Sequence, residues 1–330
     1  MKTGIELEYW VTNDSGKLTS AKRLSQLFED AEQEFVEPML ELKTSPHEEV
    51  RDLEQEARSK LREAIEQSEE MNLRIVPTGT TLAGETPEML ESKRGELQQR
   101  IVGEKLEYAK NVAGTHFHFE QGDVEKQLNT LTALDPALAA MNSSPYFSGR
   151  NLGSSSRNII YRYRCYEDLP RHGQLWDYTE NVEEWRRRIQ TAFREFKQEA
   201  SKKGIAEEKV DEHFNAEDAL WTPVRLRDSF STVEWRAPDT GLLSDAIKLL
   251  RDVKTALKKE QQLPGFEKVQ QKSRKAMETG KVDSYLREFG IRAPDYSPLS
   301  DRLFSGSIGE KEARKKRLKA AKLLREDVGL

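Results

Sequence analysis

The sequence predicts an α+β fold, on three observations. Short segments alternate apolar and polar residues at the spacing of β-strands. Helices and loops of unequal length separate them, which does not fit the regular repeat of a parallel strand–helix series. Beyond Gly241 the chain reads as nearly all helix.

Residues 3–12 place Ile5, Leu7, Tyr9 and Val11 on one face and Glu6, Glu8 and Trp10 on the other, the pattern of a half-buried strand. Asn13, Asp14, Ser15 and Gly16 make a turn, and a short helical stretch follows from Ala21 to Glu32. FVEPMLELKT (35–44) reads as a second strand, at an edge or bulged, because Pro38 has no N–H for a ladder. Val50, Leu53, Ala57, Leu61, Ala64 and Ile65 recur every three or four residues, which predicts an amphipathic helix. Leu73 to Pro77 is a short buried strand that enters a Gly/Thr-rich loop, Thr78 to Gly84. The charged stretch 85–110 is partly helical. GTHFHFE (114–120) alternates again, and a helix follows over 123–141. NSSPYFSGRNLGSSSRN (142–158) is a loop of a length that compact domains reserve for function or leave disordered. NIIYRYRCY (158–166) reads as a fourth strand, residues 182–204 as a helix, and STVEWRAP (231–238) as the last strand. Helices over 242–259, 266–289 and 310–326 complete the chain. No linker composition divides it, so a single domain with a helical C-terminal part is expected.

Composition narrows the function. Of 330 residues, 53 are Lys or Arg and 58 Asp or Glu, a formal charge of −5 that argues against a nucleic-acid surface. The single cysteine, Cys165, excludes an intrachain disulfide framework and a multi-cysteine zinc site. MKTGIELEYW lacks a signal-like apolar run and nothing approaches membrane-spanning length, so no membrane partner is expected and the cytoplasm is the expected compartment.

The chemistry lies on the polar faces of the strands. Glu6 and Glu8 share one face of the first; Glu41 and Lys43 share one in the second, with Glu34 upstream. His116, His118 and Glu120 oppose Phe117 and Phe119; Arg162 and Arg164 alternate with Tyr161, Tyr163 and Cys165; Glu234 and Arg236 oppose Val233 and Trp235. One charged strand face is ordinarily solvated, but five point to a sheet whose concave side is a polar site. Converging carboxylates repel unless cations neutralise them, and an oxygen-rich set with an imidazole suits Mg²⁺, with Mn²⁺ as the alternative. Acids, a divalent metal and arginines together describe phosphoryl transfer from a nucleotide. GSIGEK (306–311) lacks the Walker A spacing, so a nucleotide would bind on the sheet.

GIELE (4–8), PMLELKTSP (38–46), GTHFHFE, NSSPYFSGRN (142–151), YRYRCYEDLPRHG (161–173) and TVEWRAPDT (232–240) resemble, in order, the motifs of the type 2 glutamate–cysteine ligase family, within the glutamine synthetase-like carboxylate–amine ligases. The opening is most similar to the archaeal type. The resemblance implies a curved antiparallel half-barrel with helices outside, a catalytic domain over 1–260, and a helical extension over 261–330 packed on it. It implies ATP and Mg²⁺ as cofactors. Glu8, Glu34 and Glu41 match one metal cluster, and Glu6, His116 and Glu234 a second nearer the phosphates. Arg236 matches the arginine that steadies the transferred phosphoryl group, with Glu234 and Glu41 beside it in catalysis. Arg162, Arg164, Arg150 and His118 match substrate- or nucleotide-binding positions. The implied reaction phosphorylates the γ-carboxylate of glutamate and lets the amine of cysteine, or another amine, displace phosphate; a homo-oligomer stays open. The family favours HVHV where this chain has HFHF, and Glu32 and Glu37 compete with Glu34 for its place.

Plainer readings stand beside these. Cys165, on the aromatic face, reads as a small core residue. His172 and His213 carry no catalytic signal, and the basic run from Lys311 to Lys322 reads as a solvated helix face. Two rivals remain: a metal-dependent amidohydrolase using HFHF, short of further strand-borne histidines, and a binder that has kept the fold without the chemistry.

Overall fold

The structure, a computed structural model, describes residues 1–28 and 31–330. In chain order the strands are β1 (Thr3–Asn13), β2 (Ala31–Gln33), β3 (Met39–Lys43), β4 (Leu73–Val76), β5 (Thr115–Glu120), β6 (Tyr146–Phe147), β7 (Arg150–Asn151), β8 (Val224–Arg227) and β9 (Thr232–Trp235). The helices up to the last strand are α1 (Lys22–Ser25), α2 (Val50–Glu70), α3 (Lys93–Val102), α4 (Leu106–Ala109), α5 (Val124–Leu134), α6 (Ser156–Ile160), α7 (Val182–Lys202) and α8 (Glu207–His213). Beyond it lie α9 (Leu243–Lys258), α10 (Phe266–Thr279), α11 (Asp283–Leu286), α12 (Leu299–Leu303) and α13 (Glu310–Asp327).

The fold is α+β around an open antiparallel sheet, ordered β2-β3-β1-β5-β9-β8, with β4 pairing the far end of β1; β6 and β7 form a separate hairpin. Strand periodicity sends alternate side chains to opposite faces. Ile5, Leu7, Tyr9, Val11, Phe117, Phe119, Val233 and Trp235 are all buried on the apolar face. Phe117 and Trp235, opposite each other across β5 and β9, bring their rings to 5.8 Å. Helices α2 and α5 lie against this sheet, and α9 packs on both. α2 buries the predicted stripe of Leu53, Ala57, Leu61, Ala64 and Ile65. A second apolar cluster joins α3, α7 and α8 to Cys165, Tyr166 and Leu169. Side-chain caps fix the starts of α3, α5 and α7: Ser92 accepts from the Gly95 amide, Asp123 from Lys126 and Asn181 from Glu184. Among the described residues no helix is long and apolar enough to cross a membrane.

Several sequence expectations need correction. The strand expected over 35–44 begins only at Met39; Pro38 stays outside and offers its carbonyl to the Val11 amide at 2.8 Å, while β2 forms a separate edge strand. The helix expected from Ala21 to Glu32 shrinks to α1, and its positions 29 and 30 lie outside the described residues. The loop 142–158 holds the β6–β7 hairpin and the start of α6. The fourth strand does not exist: Ser156–Ile160 is α-helical and Tyr161–Cys165 continues as a π-helical turn. Ser155 caps this helix by accepting from the Asn158 amide, and the Asn158 side chain accepts from Arg162 Nε at 3.2 Å one turn on. The basic face of α13 is not wholly solvated either, for Arg317 is fully buried.

Candidate active site

The polar face of the sheet collects its side chains by register. Glu6 sits opposite Lys43 on β3 and His116 on β5, Glu8 opposite Glu41, and Glu234 opposite both His118 and Arg225. Partners facing each other across antiparallel strands hold their Cβ atoms about 5 Å apart, so this pairing alone draws the acids and imidazoles together. His116 Nδ1 lies 3.0 Å from Glu6 Oε2 and 3.8 Å from Glu234 Oε1, and His118 Nε2 lies 3.4 Å from Glu6 Oε1. Arg225 and Arg236 each come within 3.5 Å of Glu234. Lys43 Nζ bridges Glu41 and Glu32, at 2.8 Å from each.

Two hollows adjoin on this face. One of about 240 Å³ is bordered by Glu6, Glu41, His116, His118, Glu234 and Phe230. The other, about 500 Å³, is more aromatic, with Phe35, Arg157, Tyr161, Tyr166 and Trp221. Glu8, Glu34, Arg94, Trp221 and Arg236 border both.

Charge is unevenly balanced across the small hollow. Burial pushes the Glu41 carboxyl well above the ordinary range, and the nearby Glu34, Glu6 and Glu8 push it further against the pull of Lys43. Burial, then the charge of Glu8, raises Glu34 as well. On the other flank burial opposes ionisation of Glu234, yet Arg225 and Arg236 bring it down to about 2. Burial likewise opposes ionisation of Glu6, yet the adjoining His116 and His118 imidazoles hold it below the ordinary carboxylate range. Glu34 and Glu41 therefore resist ionisation, with Lys43 as the cation that pulls against this in both.

The donor set fits hard divalent cations. Ligand atoms of Glu6, Glu41 and His116 lie within 4.8 Å of one another, as do those of Glu6, His118 and Glu234, and those of Glu32, Glu34 and Glu41. Glu234 Oε2, His116 Nε2 and His118 Nε2 are buried with no well-aligned hydrogen bond among the described residues. Buried polar atoms of that kind call for a partner. The grouping differs from the expected one: His118 and Glu32 enter it and Glu8 does not, although Glu8 borders the hollow with its Oε1 3.5 Å from His116 Nε2 and its Oε2 accepting from the Gly114 amide at 2.5 Å.

Of the expected binding residues, His118 and Arg236 border the small hollow, whereas three arginines do not. Arg162 is buried elsewhere in a two-pronged ion pair with the fully buried Asp135, at 2.8 and 2.9 Å. Arg150 and Arg164 are exposed and line a separate pocket of about 300 Å³ with Tyr108 and Phe147. The sequence reading also missed three residues. Arg225 lies on β8, a four-residue strand whose VRLR alternation is too short to stand out. Trp221 precedes it. Arg157 closes the large hollow and donates to the carbonyls of Ala237 (2.9 Å) and Arg236 (3.2 Å), fixing the backbone that carries Arg236. Gly114 makes room for it, since a Cβ there would come within 2.2 Å of the guanidinium.

The fold and site define a protein class: an open antiparallel sheet whose polar face gathers carboxylates, imidazoles and guanidinium groups in one hollow. The chain belongs to glutamate–cysteine ligase family 2, whose model matches residues 2–260. A protein of Bradyrhizobium diazoefficiens provisionally named glutamate–cysteine ligase 2 is 24% identical over 262 residues, 74% of this chain and 56% of that protein. A like-named protein of Bradyrhizobium sp. BTAi1 is 24% identical over 259 residues, 72% and 56% of the two chains. The chain thus aligns with little over half the length of these relatives. The fold is similar to that of a bifunctional glutathione synthetase from Pasteurella multocida (TM-score 0.64, 14% identity, 99% of this chain and 52% of that one). It is also similar to glutamate–cysteine ligase from Francisella tularensis, solved in complex with AMP (TM-score 0.60, 14% identity, 98% and 89%).

Proposed function

We propose that the protein is an ATP-dependent carboxylate–amine ligase joining the γ-carboxylate of glutamate to the amine of cysteine. The observation that carries this reading is the meeting of Glu6, Glu41, His116, His118 and Glu234 in one hollow beside Arg236. Family membership supports it.

Glu6, Glu41, His116, His118 and Glu234 would hold Mg²⁺, and Mn²⁺ in its place. Bound there, the metal would supply charge neutralisation for a triphosphate, which phosphoryl transfer needs more than covalent help. Arg236, fixed against Glu234, offers a guanidinium for the equatorial oxygens of the transferred group. A glutamate γ-carboxylate oxygen attacks the γ-phosphorus and ADP leaves. The acceptor amine then adds to the acyl phosphate carbon, the C–O bond to phosphate breaks, and the amine gives up a proton as the amide forms. The large hollow, about 500 Å³ with Phe35, Tyr161, Tyr166 and Trp221 on its wall, is where the two amino acids would sit.

Incubation with ATP, Mg²⁺ and the twenty amino acids, followed by mass spectrometry, tests this. ADP and γ-glutamylcysteine are expected. A different γ-glutamyl amide would replace cysteine as acceptor, and the absence of both ADP and any amide would overturn the reading.

A further inference from the structure

Among exposed large apolar side chains Phe230 is the barest, at 64%, and it borders the polar hollow. An isolated surface phenyl needs no explanation. This one is held in place from several sides. The Arg227 guanidinium lies over its ring, 4.7 Å from the centroid, and is itself tied to Asp218 at 3.3 Å and Glu217 at 3.7 Å. The supporting turn, Asp228–Phe230, is pinned by Glu217, which accepts from the Asp228 amide and the Ser229 hydroxyl, and by Arg186 on Asp228. Ser231 closes the turn in a left-handed conformation, φ 54°, and leads into β9, the strand of Glu234. The ring is thus an anchored plate, backed by a cation and standing where a phosphate-binding hollow opens to solvent.

We propose that Phe230 is the platform on which the base of the nucleotide stacks, with Arg227 behind it. The inference rests on the ligase reading and extends it to base selection. A ligand whose phosphates occupy the hollow carries its base one ribose away, toward this rim. Stacking on an aromatic face tolerates any base but favours the larger purines, so the class of ligand is a purine nucleoside triphosphate. The backing guanidinium adds a cation–π contact that fixes the tilt of the ring.

Calorimetry on the full chain with Mg²⁺ present tests this by comparing ATP with tripolyphosphate, which has the phosphates and no base. The unaltered protein is expected to bind ATP at least about tenfold more tightly. Phe230→Ala should remove most of that preference and leave tripolyphosphate within about twofold. Phe230→Trp should restore it and add an indole emission quenched by ATP and not by tripolyphosphate. If Phe230→Ala leaves the preference intact, or weakens both ligands equally, the platform is wrong while the ligase reading stands. If the protein binds neither ligand, both readings fall. Base-dependent binding without amide formation would retain the platform and remove the ligase.

Discussion

His172 illustrates how little a residue's type says about its role. It is fully buried among Tyr166, Phe196 and Trp221, with its Nε2 3.2 Å from the Ala192 carbonyl. Burial pulls its imidazole from an ordinary 6.5 down to about 4. The unfolded chain therefore takes up that proton first on acidification. Stability from this group is complete above about pH 6.5 and falls by roughly 3 kcal/mol as pH drops toward 4. Urea unfolding at pH 7.5 and pH 5 should show a smaller pH loss in His172→Gln than in the unaltered protein; equal losses would refute the assignment. For the hollow, Glu41→Gln and Glu234→Gln should each lower turnover at least about 100-fold while circular dichroism stays unchanged. Glu6, Glu8, Glu41, Glu234 and both histidines were legible in the sequence because strand alternation assigns them to a face, whereas Glu34 was placed only by the resemblance. Their grouping was not: which carboxylates come close enough to share a cation depends on cross-strand register, and only pairing in space sets that.

At the scale of an element, the segment 156–165 is the instructive failure. YRYRC alternates as a strand does, but the same letters place Asn158 and Arg162 one helical turn apart. The cap at Ser155 and the buried Asp135 decide between the two patterns. Removing one partner of a buried ion pair strands the other's charge. Asp135→Asn should therefore cost about 3–5 kcal/mol in chemical denaturation, whereas Arg164→Ala, on the exposed side of the same turn, should stay within about 0.5 kcal/mol. Similar losses in the two variants would show that the Asp135 pair does not hold the turn. Helices α2, α7 and α9 were readable because each buries a long apolar stripe; β2 and β8, three and four residues long, carry too few positions for any period to register.

Across the whole molecule, a modest −5 conceals a hollow crowded with carboxylates. A ligand that binds the folded state alone stabilises it by mass action, about 2.7 kcal/mol at one hundred times its dissociation constant. Added Mg²⁺ should accordingly raise the melting temperature, and Glu41→Gln should abolish much of the rise; a shift identical in both would place the ion elsewhere.

The family match stops at residue 260, yet the molecule does not. From α13, fifty-seven positions further on, Arg317 reaches the carbonyls of Thr81, Ala83 and Gly16 and the carboxylate of Glu85. The same 78–81 stretch passes its amides to Ser143 and Ser144, whose neighbour Asp239 ends the segment that begins with Glu234. Trimming the gene at the homology border would thus unplug a clasp whose other end is fastened near the strand that carries Glu234, and the shortened product should lose its folding rather than an ornament.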